Sequence, residues 1–125
     1  MRAGSVVVLA ALGVEGVHAF AHITGGGLAG NTARVVPDAL GAVLDRSTWA
    51  LPAAVRLMEE HGVPREESER AFNCGVGMVA AVSADAADAA LARLASSGVP
   101  AWVAGSITRR TDDSARAAHL VGSYR

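Results

Sequence analysis

The hydrophobic positions of this chain fall into short runs whose period changes several times. Val17 to Ile23 is apolar apart from His18 and His22 and reads as a strand, which stops at Gly25-Gly26-Gly27. Leu28 to Val36 then gives a short helix or turn closed by Pro37, and Leu40 to Leu44 a second strand. Leu51, Val55 and Met58 recur at helical spacing, with Pro52 in a tolerated first-turn position and Gly62 just past the end. Pro64 opens another short helix, and its first turn holds Glu66 and Glu67, where negative charge meets the positive helix end. Gly75 to Val82 is rich in valine and reads as a strand. In the helix that follows, Ser83 is placed to cap and Asp85 and Asp88 lie near the N-terminus. Ala87, Leu91 and Leu94 line one face, and Gly98 and Pro100 mark the stop. Ala101 to Ile107 and His119 to Tyr124 supply the last strand candidates. Ser5 to Leu12 is too short and too apolar to classify by period, so helix or strand stays open there. Strands alternating with helices predict a layered α/β (α+β) fold, with helices packed on a single, mostly mixed β-sheet.

Composition narrows the chemistry. A chain of 125 residues, 51% of them apolar, makes one globular domain spanning 1–125, with a real core and no room for a second. The net charge of −1 leaves no electrostatic case for nucleic acid or an anionic membrane as partner. All 11 basic residues are arginine. That excludes a P-loop lysine, a Schiff-base lysine and a lysine general base, and leaves the arginine fork to hold any phosphate or carboxylate. The lone Cys74 excludes an internal disulfide and a cysteine-rich zinc site, which suits a reducing, cytoplasmic setting. Met1 to Leu12 carries one arginine and an apolar stretch, yet it lacks a cleavage region and is too short to span a bilayer.

Two constellations carry candidate chemistry. In the first, Thr24-Gly25-Gly26-Gly27 offers backbone N–H groups with no side chains in the way, which suits close approach of a phosphate. Asn31 and Arg34 add a polar donor and a cation, and His22 stands within reach as a proton-transfer group. The competing readings are a tight strand-to-helix connection and a hydrogen-bonded core histidine. His18 and His22 share a strand face, but no third zinc ligand is evident. In the second constellation, Phe72-Asn73-Cys74-Gly75-Val76-Gly77-Met78, the glycines permit a bulge or close approach of another segment, and Asn73 offers a donor and an acceptor. Nothing near Cys74 in sequence would activate it, so it reads as a packed thiol. Arg109-Arg110 reads as a solvated face.

Together these blocks resemble the C-terminal domain of aminoimidazole ribonucleotide synthetase, also called phosphoribosylformylglycinamidine cyclo-ligase. The matching residues are His22-Ile23-Thr24-Gly25-Gly26-Gly27, Asn31, Arg34-Val35-Val36-Pro37, Val43 through Asp45 to Trp49, and Phe72 through Met78, and the resemblance runs from about Val17 to Gly105. It implies a role in purine biosynthesis. Family enzymes use ATP and Mg²⁺ to activate the formyl oxygen of formylglycinamidine ribonucleotide, and a nitrogen then attacks to close the imidazole. The resemblance casts His22 and Asn73 as catalytic. Thr24, Gly25, Gly26, Gly27, Asn31, Arg34, Gly75 and Gly77 would bind substrate or phosphate, with no metal ligand in this chain.

The chain also departs from the family pattern. The N-terminal domain that supplies most nucleotide and Mg²⁺ ligands is absent, and a usual Tyr-Val-Lys stretch has no counterpart before Leu9. Gly30, Ala33 and Ala71 replace a usual glutamate, proline and threonine. The initial methionine suits a complete gene product, which would borrow a separate N-terminal cyclo-ligase domain as partner or use no cofactor of its own. Alternatives are a free-standing homologue recruited as an ATP-independent cyclase in another pathway, and a non-catalytic binding or assembly subunit. A small domain with an exposed sheet edge should associate, so a homo-oligomer is expected, with a small-molecule substrate.

Overall fold

The structure, a computed structural model, describes residues 13–110 and 117–125. Five strands and four α-helices alternate along them: β1 Val17–His22, α1 Gly27–Ala33, β2 Leu40–Asp45, α2 Ala53–Glu60, α3 Arg65–Ala71, β3 Met78–Val82, α4 Ala87–Ser96, β4 Gly105–Arg109 and β5 Ala118–Val121. The layered α/β class holds. The strands divide between two sheets, however, where the sequence predicted one. β1 and β3 form an antiparallel pair, and β2 lies between β4, antiparallel to it, and β5, parallel to it. One buried cluster nevertheless joins them, because Ala21 and Ile23 from β1, Leu28 from α1 and Leu44 from β2 pack together with Trp49 and Val76. Period-2 patterns report which face of a strand is buried, and both sheets bury a face in this shared core, so sheet membership is invisible to them.

Most boundaries follow the sequence, and the exceptions have local causes. The strand expected from Gly75 starts only at Met78, because Asn73 to Gly77 is used in a turn. Cys74 there has φ +52°, and Gly75 has φ +97° with its N–H bonded to Asn73 Oδ1 at 3.0 Å. Ser83 does not cap its helix. Its hydroxyl lies 2.8 Å from His18 Nε2 instead, and a short 3₁₀ turn over Ala84–Ala86 leads into α4. The strand expected over 101–107 is displaced to Gly105–Arg109, and the segment before it is irregular, with the Trp102 indole Nε1 donating to Thr48 Oγ1. Arg110 is more than a solvated cation: its guanidinium donates to the Asp38 carbonyl and its N–H to the Ala39 carbonyl, tying the end of β4 to the turn before β2. The segment 5–12 lies outside the described residues. No helix among those described is long and apolar enough to cross a membrane.

Candidate functional site

Two loops meet at the junction of β1 and β3. One, 23–27, joins β1 to α1, and the other, 72–77, joins α3 to β3. The Ile23 N–H donates to the Gly77 carbonyl at 3.0 Å and the Gly26 N–H to the Arg70 carbonyl at 3.1 Å, so segments nearly 50 residues apart in sequence form one rim. His22, Thr24, Gly25, Gly26, Asn73, Gly75 and Gly77 are exposed on it, above buried Ile23, Gly27, Cys74 and Val76. His22 points away from the core that Ala21 and Ile23 enter, and its cross-strand neighbour is Met78. The reading of His22 as a core histidine is therefore corrected, since the side chain faces solvent.

The glycines divide into three roles. Gly27 is a packing residue: with φ +77°, a Cβ there would fall 1.8 Å from the Glu69 carbonyl oxygen. Only glycine lets α1 approach α3 so closely. Gly26, at φ +101°, is the N-cap of α1 and spends its N–H on Arg70. The Gly27 N–H goes to the Thr24 carbonyl at 3.1 Å. The picture of a loop of bare amides is thus corrected, because two of the three are satisfied by the protein's own carbonyls. Gly25 differs. A Cβ there meets nothing within 4 Å, and its N–H makes no hydrogen bond among the described residues.

Asn31 is also redefined by its surroundings. It is 5% exposed, and its Nδ2 donates to the carbonyls of Gly27 (2.8 Å), Thr24 (3.1 Å) and Gly25 (3.4 Å), while Thr24 Oγ1 donates to its Oδ1 at 3.5 Å. Its amide is consumed in folding the loop, so it holds the site in shape and has no donor left for a ligand. This inward pull also sets the direction of the free amide. Across a trans peptide the C=O and N–H point oppositely, so turning the Thr24 carbonyl toward Asn31 aims the Gly25 N–H outward. Arg34 stands at the other end of α1, about 10 Å from Gly27 along the helix axis at 1.5 Å per residue. The structure does not bring its backbone to the rim, as its position in sequence suggested.

The second loop is fixed from below. Trp49 Nε1 donates to the Cys74 carbonyl at 3.0 Å, and Pro52 sits where a Cβ on Gly75 would meet it at 3.1 Å. Cys74 itself is 2% exposed, and burial pushes its thiol pKa up, which fits a packed thiol. Asn73 uses its Oδ1 on Gly75 and is exposed, its amide NH₂ making no hydrogen bond among the described residues. The Gly77 N–H makes no hydrogen bond among the described residues. His18 and His22 gain no further ligand, and among the described residues no group of three or more His, Cys, Asp or Glu side chains converges as a metal site.

A network that no sequence signal indicated buttresses α3 from its other side. Arg46 forks onto Glu69 at 2.7 and 2.9 Å, Tyr124 donates its hydroxyl to the same carboxylate at 2.8 Å, and the Arg65 guanidinium lies 4.9 Å from the Tyr124 ring centre. Burial raises the Glu69 pKa, but the hydrogen bonds from Arg46 and Tyr124 outweigh it and hold the carboxyl below the usual range. Arg46 and Tyr124 are 23 and 55 residues from Glu69, beyond any helical or strand period.

The exposed rim made from a triple-glycine loop and a Phe-Asn-Cys-Gly turn accompanies membership of a known class. Residues 3–117 match the family model described as AIR synthase related protein, C-terminal domain, and the chain belongs to that family. Among its relatives is a Streptomyces fradiae protein named "Putative phosphoribosylformylglycinamidine cyclo-ligase", 52% identical over 111 residues, covering 86% of this chain and 61% of the relative. A phosphoribosylformylglycinamidine cyclo-ligase of Anaeromyxobacter sp. (strain Fw109-5) is 47% identical over 108 residues, 86% of this chain and 31% of the relative. The chain therefore spans less than two thirds of the length of these relatives.

Proposed function

We propose that this domain binds the phosphorylated substrate of an imidazole-forming cyclo-ligase, formylglycinamidine ribonucleotide, and contributes His22 and Asn73 to the ATP-dependent closure that yields aminoimidazole ribonucleotide. The observation that carries this reading is the meeting of the two loops through the Ile23–Gly77 hydrogen bond, which gathers His22, Thr24, Gly25 and Asn73 on one exposed rim. The reading is supported by the names of the relatives at 47–52% identity. On this rim the outward Gly25 N–H, the Gly77 N–H and the Asn73 amide are donors for anionic or carbonyl oxygens of the substrate. Ring closure forms a C–N bond and must remove a proton from the attacking nitrogen. His22 is the exposed imidazole on this rim, and its ring nitrogen is a group able to accept that proton.

The resemblance assigns most nucleotide and Mg²⁺ ligands to an N-terminal domain, so nucleotide binding is assigned to a partner domain in this reading. The partial coverage of the relatives favours a second reading in which the chain is a binding or assembly subunit that completes such a domain. Calorimetric titration with ribose 5-phosphate and with Mg²⁺–ATP, alone and after addition of a nucleotide-binding cyclo-ligase domain, tests both. The first reading expects ribose 5-phosphate binding that weakens in a Gly25→Ala variant, and turnover by the pair that His22→Ala abolishes. Turnover unchanged by His22→Ala, with assembly intact, supports the second. Absence of binding to either ligand and to the domain refutes both.

A further inference from the structure

We propose that Tyr124 is the positioning residue of the two-loop rim, a single side chain that seats both loops from beneath, an inference that rests on reading the rim as the substrate-binding site. The chain brings it there through β5, which runs parallel to β2 with Val121 beside Asp45. Tyr124 therefore follows alongside the turn from Arg46 to Trp49. There the Arg125 N–H donates to the Trp49 carbonyl at 3.3 Å, and Arg46 Nη1 donates to the Gly122 carbonyl at 3.2 Å. The Tyr124 ring packs against two core clusters at once, one holding Ile23 and Val76 and the other holding Cys74. All three of those residues are buried members of the rim loops.

The hydroxyl reaches the triple-glycine loop through Glu69. It donates to Glu69 Oε1 at 2.8 Å, and the same carboxylate takes the Arg46 fork at 2.7 and 2.9 Å. Glu69 and Arg70 are the α3 residues whose carbonyls meet that loop. The Glu69 carbonyl lies where Gly27 has no room for a Cβ, and the Arg70 carbonyl accepts the Gly26 N–H at 3.1 Å. A shift of the Glu69 carboxylate is therefore felt by the backbone against which Gly25-Gly26-Gly27 is set. Burial and the adjoining carboxylate push the Tyr124 phenol pKa up, so it stays a donor throughout the physiological range.

The ring reaches the second loop through Trp49. The two rings meet edge to face with centres 5.4 Å apart, and the Arg65 guanidinium lies over the Tyr124 ring. Trp49 Nε1 in turn donates to the Cys74 carbonyl at 3.0 Å, and the Cys74 thiol donates to the Ser68 carbonyl at 3.6 Å. The Asn73–Gly77 turn is thereby tied both to the indole and to α3. The Arg46–Glu69 pair is largely buried, and desolvation offsets much of the attraction in such a pair. Holding the rim in register is what it contributes beyond stability.

Amide NMR of the full chain reads the seating through the Gly25 and Gly77 N–H resonances and the Trp49 indole N–H, with calorimetric titration of ribose 5-phosphate as the second readout. Tyr124→Phe keeps the ring and removes the hydroxyl, so Gly25 should move while Gly77 and the indole stay near their parent positions. Tyr124→Leu removes both supports and should move all three. Ribose 5-phosphate should bind roughly threefold or more weakly to Tyr124→Phe, within what one hydrogen bond carries, and more weakly still to Tyr124→Leu. Ala86→Gly is the control for lost stability alone. Ala86 lies against Gly16, beyond the Val17–Val82 pair and at the end of the β1–β3 ladder opposite His22 and Met78. It should lower Tm and leave the rim resonances in place. A Tyr124→Phe protein, folded by circular dichroism, whose Gly25 resonance stays in place or whose affinity equals the parent's overturns the proposal. Equal displacement of the rim resonances in Ala86→Gly overturns it too. Resonances moved by Tyr124→Phe, beside a parent chain that binds no ribose 5-phosphate, would uphold the seating role and refute the substrate reading of the rim.

Discussion

Replacing Gly27 by alanine separates two explanations of the triple glycine, close packing and ligand approach. The new methyl carbon would sit 1.8 Å from the Glu69 carbonyl oxygen and 3.2 Å from the Arg70 Cα, both parts of a helix backbone that cannot swing aside. The residue would also be held at φ +77°, which costs an L-residue roughly 1–2 kcal/mol. Relief of the clash requires α1 and α3 to separate, and overpacking of that kind costs about 1–3 kcal/mol more. The total, about 2–5 kcal/mol, is a large share of the stability of a typical domain and corresponds to a fall in Tm of roughly 10 °C or more. Gly25→Ala is the control: open space surrounds it and its φ is not in the left-handed region, so its stability should change by less than about 1 kcal/mol. Urea denaturation of both variants beside the parent chain gives the comparison. A Gly27→Ala protein as stable as the parent would refute the packing account, and a Gly25→Ala protein as damaged as Gly27→Ala would show that the whole loop is held by strain.

Three further outcomes follow from the same geometry. Asn31→Leu leaves the carbonyls of Thr24, Gly25 and Gly27 without their shared donor and should cost about 2–4 kcal/mol, with faster proteolytic cleavage of the loop as a second readout. Trp49→Phe keeps most of the packing but leaves the Cys74 carbonyl unpaired, for a loss of about 1–3 kcal/mol by thermal melting. Glu69 is the source of a pH dependence. Its folded pKa lies below the unfolded value of about 4.3, so its contribution is complete above that pH and is lost as pH falls toward the folded value. Urea midpoints should drop below about pH 4.5 in the parent chain and fall less steeply in Glu69→Gln.

Much of the secondary structure was written locally. Val17–His22 and Leu40–Asp45 are strands because short apolar runs end at turn signals, and Pro52 and Pro64 stand at the N-caps of α2 and α3 because a missing N–H costs nothing there. The candidate rim was legible too, since Thr24-Gly25-Gly26 and Asn73 announced loops with usable polar groups. Tertiary structure decided what each residue does. Gly27 and Asn31 read as ligand contacts in sequence, yet Gly27 packs against the Glu69 carbonyl of α3 with its N–H on Thr24, and Asn31 donates to three carbonyls around its own loop. Whether an amide is free depends on what folds against it, and local sequence does not contain that information. The same reason accounts for the two sheets and for the Arg46–Glu69–Tyr124 network. Periodicity tells each segment which face to bury, while only the packed chain decides which distant segment is there to meet it.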